Sequence, residues 1–235
     1  MINLLKKTIK SYLINHLSIP DIEASLKLLK INSFKPDSIF DVGAYQGDFA
    51  KLTQKIWSQS KVFCFEALSK KVILLEQLSK SNPNIKVIEG LIGNRNLDNV
   101  TFNESETASS VLDEHISLDF TRSAKKMRTV DSCIAEFHLP YPDLLKIDTQ
   151  GFEYEVLEGA KETLPHIQII LAELNFIDIH KNVRLASDVI RLLDDYNFVM
   201  YDITEIHRRP SDKAIWQTDF IFVKKDSIFR ANKKW

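Results

Sequence analysis

Three carboxylates far apart along the chain each close a short apolar run, and their surroundings are those of ligand-binding turns. The first lies in Asp41-Val42-Gly43-Ala44-Tyr45-Gln46-Gly47. Glycine at 43 and 47 lets the backbone turn tightly and approach a ligand, and a helix starting there offers unpaired N–H groups and a positive dipole end, which suit a carboxylate. A strand-to-helix turn also needs glycine for structure alone. The spacing Gly43-x-x-x-Gly47 is not the G-x-G-x-x-G of a pyrophosphate-binding turn, which argues against a nicotinamide oxidoreductase. The second acid, Glu66, follows Val62-Phe63-Cys64-Phe65. An acid at the end of the second strand of a doubly wound sheet can accept both hydroxyls of a ribose. The third, Asp148, lies in Leu144-Leu145-Lys146-Ile147-Asp148-Thr149-Gln150-Gly151-Phe152-Glu153. In open α/β sheets, ligands bind at the carboxyl ends of the strands where strand order reverses. Asp41, Glu66 and Asp148 are therefore expected to ring one crevice.

The elements that must position these acids read as repeated βα units with a mostly parallel sheet. The first strand is Ser38-Ile39-Phe40-Asp41-Val42, followed by a helix over 48–57, a strand over 62–65, a helix over 70–79 and a strand over 85–88. Residues 90–129 are rich in Asn, Ser, Thr and Glu and read as an irregular insertion with a short edge strand near 100–102. The βα pattern resumes with a strand at 144–147, a helix at 154–163, a strand at 167–174, a helix at 187–195, and strands at 198–201 and 218–223. Ahead of the sheet, residues 1–35 read as a helical appendage to a domain spanning 36–235. Leu4, Leu5, Ile9, Tyr12, Leu13 and Leu17 recur at helical spacing, and a second short helix spans 21–29. Such stripes either cover the sheet or dock a partner, and a homo-oligomer built through them is an expectation.

Composition narrows the partners. The 235 residues are 44% hydrophobic and 27% charged, enough for one domain with a large core. Lys and Arg total 31 against 32 Asp and Glu, so no positive field gathers polyanions, and nucleic acid is not an expected partner. Cys64 and Cys133 form no metal-binding pattern and read as free thiols in a reducing cytosol. The opening Met1 to Leu17 interrupts its apolar residues with Lys6, Lys7, Lys10 and Asn15, unlike a secretory leader, and no run of about 18 apolar residues marks a membrane span. A cytoplasmic location is the expectation.

In order and spacing, the segments DVGAYQGDFA, VFCFEA, MRTVDSCIAEF and above all LLKIDTQGFEYEVLEGA resemble the FkbM family of methyltransferases, from about Ile39 to Phe222. The resemblance implies a class I, Rossmann-like methyltransferase fold, with a seven-stranded, mostly parallel sheet and helices on both faces. It also implies S-adenosylmethionine as cofactor and O-methylation of hydroxyls on sugars or other polyhydroxylated small molecules. Carried over residue by residue, Asp41, Gly43, Ala44 and Gly47 would contact the methionine half of the cofactor and Glu66 its ribose. Ile92 and Gly93, within Leu91-Ile92-Gly93-Asn94, would border the adenine, and Ser109 and Ser110 would face the same crevice. Asp148 would hold the cofactor's amino group or bind the acceptor hydroxyl. The chain departs from the family at Tyr45, where Asn is common, and at Ala67, where Pro is common.

A sulfonium methyl is intrinsically reactive, so alignment should dominate catalysis, with a base adding about 10²–10⁴-fold for a sugar hydroxyl. The candidate bases are Asp148, Glu173, which ends a strand on the same face as Asn175, and His115 in the insertion. His180 is a further candidate, while His138, His166 and His207 read as loop or surface residues. Asp148, Glu173 and Asn175 offer oxygen ligands for a divalent cation, yet isolated acids at strand ends more often bind substrate, and no metal is expected. Arg208, Arg209 and Lys213 read either as an anion grip or as a solvated hairpin. The alternative to an active enzyme is a catalytically silent cofactor-binding module that docks a partner.

Overall fold

A computed structural model describes residues 19–105, 109–113 and 120–234. The amphipathic stripe from Leu4 to Leu17 lies outside the described residues. Helix α1 (Ile22–Ile31) starts where the Asp21 side chain accepts the Ala24 N–H at 3.0 Å, a helix cap of the usual kind. Strands β1 (Ser38–Val42) and β2 (Lys61–Glu66) alternate with α2 (Asp48–Ile56) and α3 (Ser69–Ser81), and β3 (Ile85–Glu89) follows. All five residues of β1 are buried, as expected for a central parallel strand covered on both faces.

The described part of the insertion over 90–129 is largely ordered. It forms a separate three-stranded sheet in the order β4-β6-β5 from β4 (Leu91–Ile92), β5 (Leu97–Glu104) and β6 (Thr121–Arg128). The β6 sequence, TRSAKKMR, has no apolar alternation to announce a strand. What holds it is backbone pairing with β5 and cross-strand contacts, with Glu104 accepting from Ser123 at 2.6 Å and pairing with Lys125 at 3.2 Å. The short helix α4 (Val130–Phe137) also escapes sequence reading, though Thr129 and Ser132 form a reciprocal cap at its start.

After β7 (Leu144–Ile147) comes α5 (Glu153–Glu158), shorter than the pattern predicts because the chain turns at Gly159. Then follow β8 (Ile169–Asn175), α6 (Ala186–Asp195), β9 (Phe198–Arg208) and β10 (Ile215–Lys224). Strand β9 runs well past the predicted 198–201, because its outer part, DITEIHR, mixes polar residues with Ile203 and Ile206 without a two-residue alternation. The seven strands order as β3-β2-β1-β7-β8-β10-β9, with β10 antiparallel to both neighbours and the rest parallel. Strand order reverses between β1 and β7, which is where a crevice opens in such sheets.

Two cores cover the faces. Phe40, Val42, Leu145 and Ala172 pack against Val130 of α4, Val156 of α5 and Val189 of α6. On the other face Ile39, Leu144 and Ile221 meet Leu26 and Leu29 of α1, Ala50 of α2 and Leu75 of α3. Cys64 and Cys133 are buried free thiols, and burial pushes both up, away from reactivity. Among the described residues no helix is long and apolar enough to cross a membrane.

Candidate active site at the carboxyl edge of the sheet

Strand β1 ends in a turn that brings three strands to one point. Gly43 adopts φ +79°, and a Cβ there would lie 1.8 Å from the Asp148 carbonyl oxygen. Only glycine lets the β1 and β7 turns touch. The Asp148 N–H donates to the Val42 carbonyl at 3.0 Å, tying the two strand ends together. Tyr45 (φ 48°) and Gln150 (φ 52°) both hold left-handed conformations at this point, a strain that structures retain mainly at functional turns. Glu66 reaches across from β2, where its two carboxylate oxygens accept the Tyr45 N–H at 2.6 Å and the Leu68 N–H at 2.8 Å. Burial pushes the Glu66 carboxyl up, and those N–H groups oppose the rise.

Two adjoining cavities open here. The first holds about 810 Å³ of open space, with Glu66 and Asp148 at its polar end and Phe65, Leu91, Phe102 and Phe152 as apolar walls. The second, about 770 Å³, shares Gly43, Tyr45 and Asp148 with the first and is also bounded by Ile22, Lys146, Glu205 and Asp219. Asp148 therefore stands at the junction of the two.

Behind that junction lies a charged network. The Lys146 ammonium sits 3.3 Å from both Asp41 and Asp148 and donates to the Gly43 carbonyl at 3.2 Å. Burial would lower the Lys146 pKa, but the charges of Asp148 and Asp41 outweigh it and hold the ammonium charged. Gln150 Nε2 donates to Asp148 at 2.9 Å and to Glu173 at 3.0 Å, and Gln217 Nε2 donates to Glu173 and Asn175 at 3.1 Å each. Burial first, then the negative charges of Asp148, Glu153 and Asp219, push the Glu173 carboxyl far above the usual carboxylate range. Glu153, buried under the β7 turn, accepts from the Thr149 N–H at 2.8 Å and the Gly151 N–H at 3.1 Å, and burial pushes it up to about 7.

The sequence-derived residues divide by layer. Gly43, Glu66, Ile92 and Asp148 line the first cavity, and Ala44 lines the second. Asp41 lines neither, because it is fully buried and ion-paired beneath Lys146. Gly47 opens α2 against Leu75 and Leu78, and Gly93 is pressed between Met127 and Phe152. Ser109 faces the first cavity, whereas the buried Ser110 hydroxyl donates to the Gln150 carbonyl at 2.9 Å and braces the turn from behind. His115 lies outside the described residues. His180 is buried beside Gly151, where burial lowers its pKa, and it faces neither cavity.

His207 corrects the sequence reading. It is no loop residue but sits on β9, with Nε2 3.5 Å from Glu205 and 4.0 Å from Glu173. Among the described His, Cys, Asp and Glu residues, Glu173, His207 and Asp219 have ligand atoms within 4.8 Å of one another. Arg208 and Arg209 are spent within the β9–β10 hairpin, on the Lys213 carbonyl at 2.8 Å and on Asp212. Sequence reasoning also passed over Lys146, Glu205 and Asp219 as site residues. A lysine inside the buried run Leu144-Leu145-Lys146-Ile147 is the one local signal it had.

Comparison with known proteins identifies the family and the fold. The family model described as "Methyltransferase FkbM domain" matches residues 41–200. A 2-O-methyltransferase, NoeI, of Sinorhizobium fredii is 25% identical over 183 residues, covering 70% of this chain and 74% of that protein. The hexuronic acid methyltransferase AglP of Haloferax volcanii is 23% identical over 184 residues, covering 74% of each. Among solved structures, an FkbM methyltransferase from Methylobacillus flagellatus aligns with TM-score 0.50 and 14% identity over 79% of this chain, which spans 43% of that longer one. A precorrin-6y C5,15-methyltransferase from Geobacter metallireducens aligns with TM-score 0.50 and 11% identity, covering 86% of both chains. At those identities the two structures speak for the fold, while the family match spans the turn after β1 from Asp41 on, the Glu66 turn and the whole Asp148 turn. The chain belongs to the FkbM family of methyltransferases, with S-adenosylmethionine as its methyl donor.

Proposed function

We propose that this methyltransferase transfers its methyl group to a hydroxyl oxygen of a saccharide or a similar polyhydroxylated small molecule. The observation that carries the reading is the place of Asp148, shared by an aromatic-walled cavity suited to a nucleoside and a second, polar-rimmed cavity suited to an acceptor. Both curated relatives support it, one named for 2-O-methylation and one for a hexuronic acid.

When bound, S-adenosylmethionine supplies an electrophilic methyl on a sulfonium. The chain's own residues then bind and orient. Glu66, fixed by the Tyr45 and Leu68 N–H groups, keeps further lone pairs for a ribose diol. Phe65, Leu91, Phe102 and Phe152 offer a dry slot for adenine. The Gly43–Gly47 turn spends its N–H groups inside the protein, Gly43 and Ala44 on the Phe65 carbonyl, Tyr45 on Glu66 and Gly47 on the Ala44 carbonyl, so its part is to hold Glu66 and bring the backbone close to the cavity. Asp148 accepts the acceptor's hydroxyl proton, with Lys146 holding one of its oxygens and Gln150 the other. Burial and the neighbouring acids raise the Glu173 carboxyl, and it anchors Gln150, which in turn holds Asp148.

The test is mass spectrometry of saccharides incubated with enzyme and cofactor, following S-adenosylhomocysteine release. A gain of one methylene on a sugar oxygen, lost with Asp148→Asn, is expected. Methylation of nitrogen or carbon instead would end the proposal.

A further inference from the structure

Gln150 holds a left-handed backbone conformation at φ 52°, and Gly151 follows at φ +97°. A residue other than glycine stays there where its surroundings over-determine the backbone, and the contacts around Gln150 do so. Its side-chain amide donates to two carboxylates, Asp148 Oδ1 at 2.9 Å and Glu173 Oε1 at 3.0 Å. The peptide joining Gln150 to Gly151 is pinned at both ends. Its N–H donates to Glu153 at 3.1 Å, and its carbonyl accepts the Ser110 hydroxyl at 2.9 Å. Glu153 belongs to the same stretch of chain, whereas Ser110 reaches in from the insertion. Ser110 is 2% exposed and pairs through its backbone N–H and carbonyl with Asn103 of β5. The Asn103 side chain also fastens Leu112 and Asp113 at 3.1 Å each. Ser109 and Val111 line the first cavity, so the alternation of extended chain turns Ser110 away from it and onto the turn. Ser110 itself lines neither cavity.

We infer that Ser110 is a positioning residue for methyl transfer, holding the Gln150–Gly151 peptide so that the Gln150 amide fixes the plane of the Asp148 carboxylate. The inference rests on the reading of Asp148 as the proton acceptor. The Asp148 side chain is 39% exposed, so packing alone does not fix it. Its Oδ2 is tethered by the Lys146 ammonium at 3.3 Å and its Oδ1 by Gln150. One tether leaves a carboxylate free to swing, and two define its plane. Lys146 is in turn locked onto Asp41 and the Gly43 carbonyl, which leaves Gln150 as the tether that the turn controls. Without the Ser110 hydroxyl the Gln150 carbonyl loses this donor, and the left-handed turn can relax and carry the amide off Asp148. Reacting geometry is sensitive to such displacement, since a shift of about 1 Å can cost about 100-fold in rate.

The experiment uses the full chain in two arms. The first reads the Gln150 side-chain amide by heteronuclear NMR with S-adenosylhomocysteine bound. The second measures kcat as S-adenosylhomocysteine release with methyl glucoside, methyl galactoside and methyl mannoside as acceptors. Ser110→Ala is expected to move the Gln150 amide signals toward their unstructured positions and to speed their hydrogen exchange severalfold, with S-adenosylhomocysteine affinity unchanged. A brace that works through the amide has nothing left to hold once the amide is gone. Ser110→Ala should therefore lower kcat about tenfold in the parent and less than about twofold in Gln150→Ala, with acceptor KM holding in both. Equal losses in the two backgrounds, a loss carried by acceptor KM, or Gln150 signals unmoved by Ser110→Ala would overturn the inference. Should Ser110→Ala melt below the assay temperature, Ser110→Cys, which keeps the size of the side chain with only a weak donor, gives the same two readouts. With none of the glycosides turned over, the amide signals decide by themselves. Asp148→Asn with kcat intact would strike the proton-acceptor reading, not the hold of Ser110 on Gln150.

Discussion

Glu66 and Asp148 differ in how they should fail when altered. Glu66 is mostly buried, and its carboxylate is fixed by two backbone N–H groups while facing the cavity. Hydrogen bonds to a charged group are worth about 1.5–3 kcal/mol each. Glu66→Ala should therefore weaken S-adenosylhomocysteine binding by at least about tenfold in calorimetry. Unchanged affinity would place the ribose contact elsewhere. Asp148→Asn keeps the shape and the Gln150 contact but removes the proton acceptor. Its expected signature is a fall in kcat of about 10²–10⁴-fold with acceptor KM little altered. If KM rises instead and kcat holds, Asp148 binds the acceptor or cofactor without taking the proton.

Among the elements, the β1–α2 turn and the three-stranded insertion set the shape of the first cavity. Gly43→Ala would drive a Cβ into the Asp148 carbonyl, with backbone on both sides and no flexible side chain to yield. Overpacking costs about 1–3 kcal/mol before the left-handed strain is added, so thermal unfolding should show a clear drop in Tm. A variant as stable as the parent would mean that the two turns sit farther apart. The insertion contributes Phe102 from β5, a wall of the cavity. Phe102→Ala is expected to loosen cofactor binding while leaving kcat at saturating cofactor near the parent value. A loss confined to kcat would mean that the insertion shapes the acceptor end instead.

At the scale of the whole molecule, several buried carboxyls share one direction of linkage. Burial pushes Glu153 and Asp219 each up to about 7 and Glu173 higher still. A carboxyl raised in the folded state contributes stability that is fully present below its unfolded pKa near 4.5 and is lost as pH rises through the folded value. For Glu153, a shift from 4.5 to about 7 is worth roughly 3 kcal/mol. The protein should therefore melt at a higher temperature near pH 5 than near pH 8. Lowered carboxyls such as Glu23 and Glu104 act only below that window, and His180, lowered by burial, opposes the trend below about 6.5. Glu153→Gln, which keeps an oxygen for the Thr149 and Gly151 N–H groups, should flatten the pH dependence of Tm. An unchanged slope would assign the effect to other groups.

The sequence alone determined the three strand ends that make the site, because β1, β2 and β7 are buried apolar runs whose acids and glycines mark where each strand stops. It did not determine β6 and the far half of β9, which rest on backbone pairing and cross-strand polar contacts instead of apolar periodicity. Nor could it place Asp41 beneath Lys146 or align Glu173, Asp219 and Glu205. Those relations depend on strand order and register, and a one-residue slip would send each side chain to the opposite face. Local chemistry announced where a nucleoside could be held; only the assembled sheet decided which charges look into the second cavity.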